Sequence, residues 1–168
     1  MGQLKQITVN GMLADINDNF EALSTVGSFA CLHQRRTAVA VFEVDEEAGL
    51  EPEAYALDVK LPANAIICGG VVDVVKTFTS ENDTATIAIS VAQANDIVAA
   101  KAIGAEGDVW DAGLQAIVPK SNTPETTGIK LTEEKAITFT VGVEALTAGK
   151  AVIYLDYYEG IATESDEE

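Results

Sequence analysis

From Thr37 to Tyr158 apolar and polar residues alternate with a period of two, interrupted by short clusters of turn residues. Successive side chains of a strand point to opposite faces, so this alternation predicts strands with one face in a core. Thr37–Val44 is the first, followed by the acidic turn Asp45-Glu46-Glu47-Ala48-Gly49. Ala54–Leu61 is the second, stopped by Pro62. Ile66–Phe78 is long and Val-rich, and Gly69-Gly70 in its middle predicts a bulge or bend. Ser80-Glu81-Asn82-Asp83 is turn chemistry, and Thr84–Val91 is expected to form a hairpin with the strand before it.

Asp96–Ile103 reads as a strand with a helical entry, and Trp110 and residues 119–124 mark a long loop. Ile129-Lys130-Leu131 leads through a Thr-Glu-Glu-Lys turn into Ala136–Val143, and Ala151–Tyr158 follows. These last two are expected to pair as a hairpin. Seven to nine such strands predict a mainly β fold, an antiparallel β-sandwich of jelly-roll type preceded by a short N-terminal helix.

That helix follows from a different period. Val9, Leu13, Ile16, Phe20 and Leu23 are spaced 4, 3, 4, 3, the a/d stripe of about two heptads, with Asn10 placed to cap its start. Asp15, Asn17, Asp18, Asn19 and Glu21 fall on its polar faces. A helix this short is unstable alone in water and needs a partner, either its own β domain or the same helix in other copies, most simply three. Ser24-Thr25-Val26-Gly27-Ser28 breaks it, and His33-Gln34-Arg35-Arg36 is a tight basic cluster. Arg35 and Arg36 either satisfy nearby carboxylates or touch an acidic face of a neighbouring subunit. The domain plan is an arm for docking or oligomerisation over 1–36, a sandwich over 37–160 and an acidic tail over 161–168, too charged to pack.

Composition narrows this picture. With 48% apolar but only 6% aromatic residues among 168, the core is expected to be Ala, Val, Ile and Leu, better suited to thin strands than to a ring-lined ligand pocket. The formal charge of −17 repels nucleic acid and anionic membranes, and any oligomer must hold together against it. Cys68, inside Ala65-Ile66-Ile67-Cys68, reads as a buried, inert thiol, and a Cys31–Cys68 disulfide is disfavoured because the denser cysteine framework of secreted domains is missing. Residues 1–6 lack a signal-peptide core, and no apolar run approaches the roughly 20 residues that span a bilayer.

The chemistry is sparse. His33 is the single histidine, so triad catalysis would have to use it, and neither a Gly-x-Ser-x-Gly elbow nor a phosphate-binding glycine loop is present. Two cysteines and one histidine do not make a zinc site. Asp45, Glu46, Glu47, Glu133 and Glu134 lie in turns, not in a cleft that would place a carboxylate pair about a sugar. Asp15–Asn19 resembles the start of a calcium loop but lacks its glycine and distal glutamate, and Ser80–Asp83 reads as a turn before a cation site. The expectation is a non-enzyme without cofactor or metal. Trp110, with Asp108, Asp111, Tyr154, Tyr157 and Tyr158, is a candidate glycan platform, Trp110 and Tyr157 being its contacts; otherwise Trp110 plugs an end of the sandwich and the tyrosines cover a sheet edge or subunit seam.

Leu61-Pro62-Ala63-Asn64-Ala65-Ile66-Ile67, Asp73-Val74-Val75-Lys76-Thr77-Phe78 and Ala85-Thr86-Ile87-Ala88-Ile89, with Ala136–Val141 and Leu146–Leu155, resemble runs in accessory virion proteins of tailed bacteriophages. The resemblance covers about residues 61–158, lies in pattern rather than in a diagnostic motif, and carries over no functional residue. It implies a structural virion protein, a capsid decoration (cement) or head-fibre subunit. Such a subunit is commonly a homotrimer, sits on the outer capsid surface after synthesis in the host cytoplasm, and is partnered by the major capsid protein or another virion protein, without nucleic acid or membrane. The alternative is a glycan-binding adhesin or a neck or tail fibre module.

Overall fold

Val, Ile, Thr, Tyr and Phe fit a pleated, half-buried surface, and the described residues form eleven strands. The computed structural model describes residues 35–104, 109–122, 125–126 and 128–160, and among them every regular element is a strand. In chain order these are β1 (Arg36–Glu43), β2 (Ala54–Leu61), β3 (Ala65–Ser80), β4 (Thr86–Ser90), β5 (Val98–Ala102) and β6 (Gly113–Ile117). Then come the short β7 (Ser121–Asn122), β8 (Glu125–Thr126) and β9 (Ile129–Lys130), followed by β10 (Lys135–Gly142) and β11 (Leu146–Glu159). The predicted helix with Val9, Leu13, Ile16, Phe20 and Leu23, together with Cys31, His33, Asp108 and the acidic tail, lies outside the described residues.

Two antiparallel sheets result. The first runs β1-β11-β3-β6, with β9 also pairing β3; the second runs β2-β10-β4-β5; β7 and β8 pair separately. The pairs are nested, β1 with β11, β2 with β10, β3 with β6 and β4 with β5, as if one long hairpin had been rolled up. Nested pairing over eight strands is the winding of a jelly roll.

This winding corrects both expected hairpins. β3 and β4 follow one another but lie in different sheets, and so do β10 and β11. A turn signal says that the chain reverses, not whether the returning strand pairs in plane or crosses over. Here each strand has one apolar face, and the two faces are buried by meeting across the core. The expected helical entry to β5 is likewise replaced by an irregular turn.

Two carboxylates hold turns of this winding. Asp96 is 1% exposed and accepts the backbone N–H groups of Val91, Ala92 and Gln93 at 2.9, 2.9 and 2.8 Å, closing the turn into β5. Glu144, between β10 and β11, accepts the Ser80 hydroxyl at 2.5 Å, the Asn82 side-chain amide at 2.6 Å and the Thr84 hydroxyl at 3.0 Å, pinning the crossing from β3 to β4. The Ser80 bond, with further bonds from Asn82 and Thr84, holds its pKa at about 2 against an ordinary 4.5, overriding partial desolvation.

Inward-facing Ala38, Ala40 and Phe42 of β1 meet Ile137, Phe139 and Val141 of β10, with Ala151, Ile153 and Leu155 of β11 alongside in the buried core. Few as they are, the aromatics cluster. Phe42 stacks on Phe139 with centroids 3.5 Å apart, and Trp110 stands edge-on to Phe78 at 5.9 Å and 89°. The expected bulge is present, since the β3–β11 register shifts where Asp156 faces Gly69 but Tyr157 faces Ile67. Gly70 next to it has φ 157°, and a side chain there would collide with the Tyr154 carbonyl. Cys68 corrects its expectation. Ile67 takes the inward position, so Cys68 is an exposed free thiol whose S–H donates to the Asp156 carbonyl at 3.3 Å.

Candidate functional site

Strand alternation decides what the first sheet shows to the outside. Thr37, Val39, Val41 and Glu43 of β1 are exposed while Ala38, Ala40 and Phe42 are buried. The register carries this outward row across four strands. Val39 lies opposite Tyr154, Tyr154 opposite Val71, and Val71 opposite Ala116. In the next rung Val41 faces Val152, Val152 faces Asp73, and Asp73 faces Leu114. Val41 is 56% exposed and Leu114 71%. The result is a band of Val, Leu and Tyr in solvent, with Asp73 as its one charged member.

Ion pairs flank the band at both ends. At one, Arg35 pairs with Asp156. At the other, Lys150 pairs with Glu43 at 2.8 Å and Lys76 with Glu46. The Thr37 hydroxyl, donating at 2.7 Å, and the Arg35 guanidinium hold the Asp156 carboxyl below the ordinary carboxylate range despite its partial burial. Exposed pairs of this kind add little stability. Their effect is on charge, because three of the ten Lys and Arg of the chain are spent neutralising the margin of one face. An apolar centre containing an aromatic and edged by polar groups is the anatomy of a protein–protein contact.

The second sheet does not share this character. Its outward positions pair Thr138 with Ser90 and Ala56, Thr140 with Ala88 and Ala54, and Ala136 with Lys60. Small and hydroxylated side chains need no cover.

The residues singled out from the sequence fall in separate places. Arg35 sits at the edge of the apolar face on Asp156, and Arg36, opposite the inward Tyr157, pairs with Glu159 at 2.8 Å on the other side of the sheet. Trp110 is 1% exposed within the aromatic cluster, so its ring presents no face for a sugar to stack on. Tyr157 packs against the core, whereas Tyr154 and Tyr158 are exposed on the other side of the same strand. No common platform forms from Trp110 and the tyrosines. Trp110 instead floors an apolar cavity of about 200 Å³ between β5 and β6, lined also by Val72, Ile97, Ile117 and Val118; Lys101 is its one ionisable side chain. In the Ser80–Asp83 turn, Ser80 and Asn82 are bonded to Glu144. Among the described residues no group of three or more His, Cys, Asp or Glu is arranged to hold a metal ion.

The apolar face was not among the residues chosen from the sequence, yet a signal for it existed. Ala38-Val39-Ala40-Val41-Phe42 is apolar at five successive positions, which means a strand covered on both sides rather than on one.

This fold, a five-stranded and a four-stranded antiparallel sheet with nested pairing, is shared with chains of solved structures. Solved structures similar to this chain are "Cyanophage Pam1 capsid asymmetric unit", at TM-score 0.54 and 17% identity over 75% of this chain and 85% of that one, and "Capsid of Ralstonia phage GP4", at 0.54 and 16% over 77% and 86%. "Acidic stable capsid structure of Helicobacter pylori bacteriophage KHP30" is similar at 0.52 and 16% over 75% and 89%. At these identities the likeness is one of fold. No protein-family model and no curated protein matches the chain.

Proposed function

We propose that this chain is a structural subunit of a tailed-phage virion, a decoration protein that binds the outer surface of the head as a trimer and stabilises it. One observation carries the reading. The strand winding matches chains of three phage capsid structures over at least 75% of this chain and 85% of theirs. Arg35 and Arg36 belong to the arm over residues 1–36, and with Val9, Leu13, Ile16, Phe20 and Leu23 they make the docking or trimerising contacts. The sandwich is the body that covers the shell. Stabilisation follows from mass action, since a subunit that binds only the assembled shell lowers its free energy relative to the open one.

The test is a pair of proteins, the full chain and one lacking residues 1–23, each added to purified heads stripped of accessory subunits. The full chain binds and raises the temperature at which the heads release DNA. The truncated chain folds, by circular dichroism, but leaves both occupancy and release temperature at the level of bare heads. Equal occupancy by the two proteins would refute the docking role of the arm, and failure of the full chain to bind would refute the decoration role.

A further inference from the structure

We propose that the outer face of the first sheet, the band of Val39, Val41, Val71, Val152, Tyr154 and Leu114, is closed by a second copy of this chain. The inference rests on the reading above that the chain works as an oligomer, and assigns the contact between subunits to the sandwich, leaving docking to the arm. Three features lead to it.

The band is apolar by choice of residue and not by strand preference alone. Threonine fits a strand as valine does, and the second sheet uses Thr138, Thr140 and Ser90 at its outward positions. Val41 and Leu114, more than half exposed, are the costly alternative. Contiguous exposed apolar surface on a soluble domain marks a surface that is covered in the working state.

Charge then selects the occupant. Each copy carries a net −17, so two copies repel through most orientations. At the margin of the apolar band, however, Arg35, Lys76 and Lys150 cancel Asp156, Glu46 and Glu43. Both ends of the band thereby hold both signs. A copy laid against it meets opposite charges at either end. Neutralising the margin matters most for a partner that is itself strongly acidic, which a second copy is.

Strand β1 adds the last feature. Its pairing with β11 runs unbroken from Arg36 to Glu43 with no bulge, it contains no proline, and it ends the described strand order of its sheet. Isolated domains usually blunt such an edge with a bulge, a proline or an inward charge. A subunit whose edge and adjoining face are covered together has no such need.

The experiment measures mass by sedimentation equilibrium at micromolar concentration, for the full-length wild type and three variants. Val41→Glu/Leu114→Glu places charge at the two most exposed band positions of one rung; Val41→Thr/Leu114→Ser removes the apolar groups while keeping strand-compatible residues. Ala56→Glu is the control, exposed on the second sheet. The wild type and Ala56→Glu sediment as a multiple of 17.7 kDa, the glutamate pair as a folded 17.7 kDa monomer, and the Thr/Ser pair with at least tenfold weaker association. A monomeric wild type, or band variants retaining the wild-type mass, would overturn the inference. Head binding by the same proteins separates it from the reading above. Oligomers lost in the variants while the wild type ignores heads would leave the inference standing and remove the decoration role. A monomeric wild type that binds heads, with binding lost in the glutamate pair, would assign the band to the shell and overturn closure by a second copy.

Discussion

The Ser80 hydroxyl donates to the Glu144 carboxylate at 2.5 Å, joining the end of β3 to the link between β10 and β11 across 64 positions of sequence. Asn82 and Thr84 converge on the same carboxylate. The chain crosses between sheets at this point, and the acceptor that holds the crossing comes from the other end of the domain.

The pH dependence of stability follows from that clamp. The Glu144 pKa is about 2 folded and close to 4.5 when the chain is unfolded. A depressed carboxylate stabilises fully above its unfolded value, and the contribution fades as pH falls through the folded value. Between pH 4.5 and 2 the wild type therefore loses part of its stability through this group. Glu144→Gln starts lower at pH 7 and loses less over the same range. Unfolding midpoints of both proteins at several pH values check this; parallel curves would contradict it.

Asp96 predicts a graded loss. Its carboxylate satisfies three backbone donors in a buried turn, and unpaired buried donors are expensive. Asp96→Ala is expected to cost about 3 kcal/mol, and Asp96→Asn, which keeps an acceptor oxygen, roughly half of that. Chemical denaturation gives the order wild type, Asn, Ala. An alanine variant as stable as the wild type would mean that water replaces the carboxylate.

Trp110 should register in stability and not in sugar binding. Removing its ring from contact with Phe78 and Phe139 leaves a cavity, at an expected cost of about 3–5 kcal/mol. On a glycan array the wild type and Trp110→Phe, which keeps an aromatic fill, should look alike. A glycan signal that disappears in the phenylalanine variant would revive the adhesin reading.

Salt should tighten self-association. Each subunit carries −17, and screening becomes effective over about 10 Å at 0.1 M salt. The dissociation constant is expected to fall as salt rises from low to physiological strength. Sedimentation showing the oligomer dissociating over that range would mean that ion pairs, not apolar contact, hold it together.

Much of this molecule could be read from its sequence, and the misses have definite causes. β2 spans Ala54–Leu61, the predicted bounds, because alternation and Pro62 are local properties. β1 and β10 fall within a residue of expectation for the same reason. Both hairpins failed, since Ser80–Ala85 and Val143–Ala145 look like ordinary reversals and nothing local reveals that the chain changes sheets there. Cys68 was misplaced by one step of alternation: the run Ala65–Cys68 is apolar throughout, and only the bulge near Gly69 settles which residue faces in. Arg35 and Arg36 could be recognised as unusual, but their partners Asp156 and Glu159 lie more than 120 positions away.

The sequence by itself determined the strand class, most strand positions, the strong acidity and the scarcity of catalytic chemistry, because these depend on residue type and on spacing within one strand. Tertiary structure decided which strands are neighbours, which carboxylates hold the turns, and that valines, a leucine and a tyrosine from four strands share one outer face. Such a face is a product of register between segments far apart in the chain. Register is set by burial of the whole core, a cooperative property that no single segment carries.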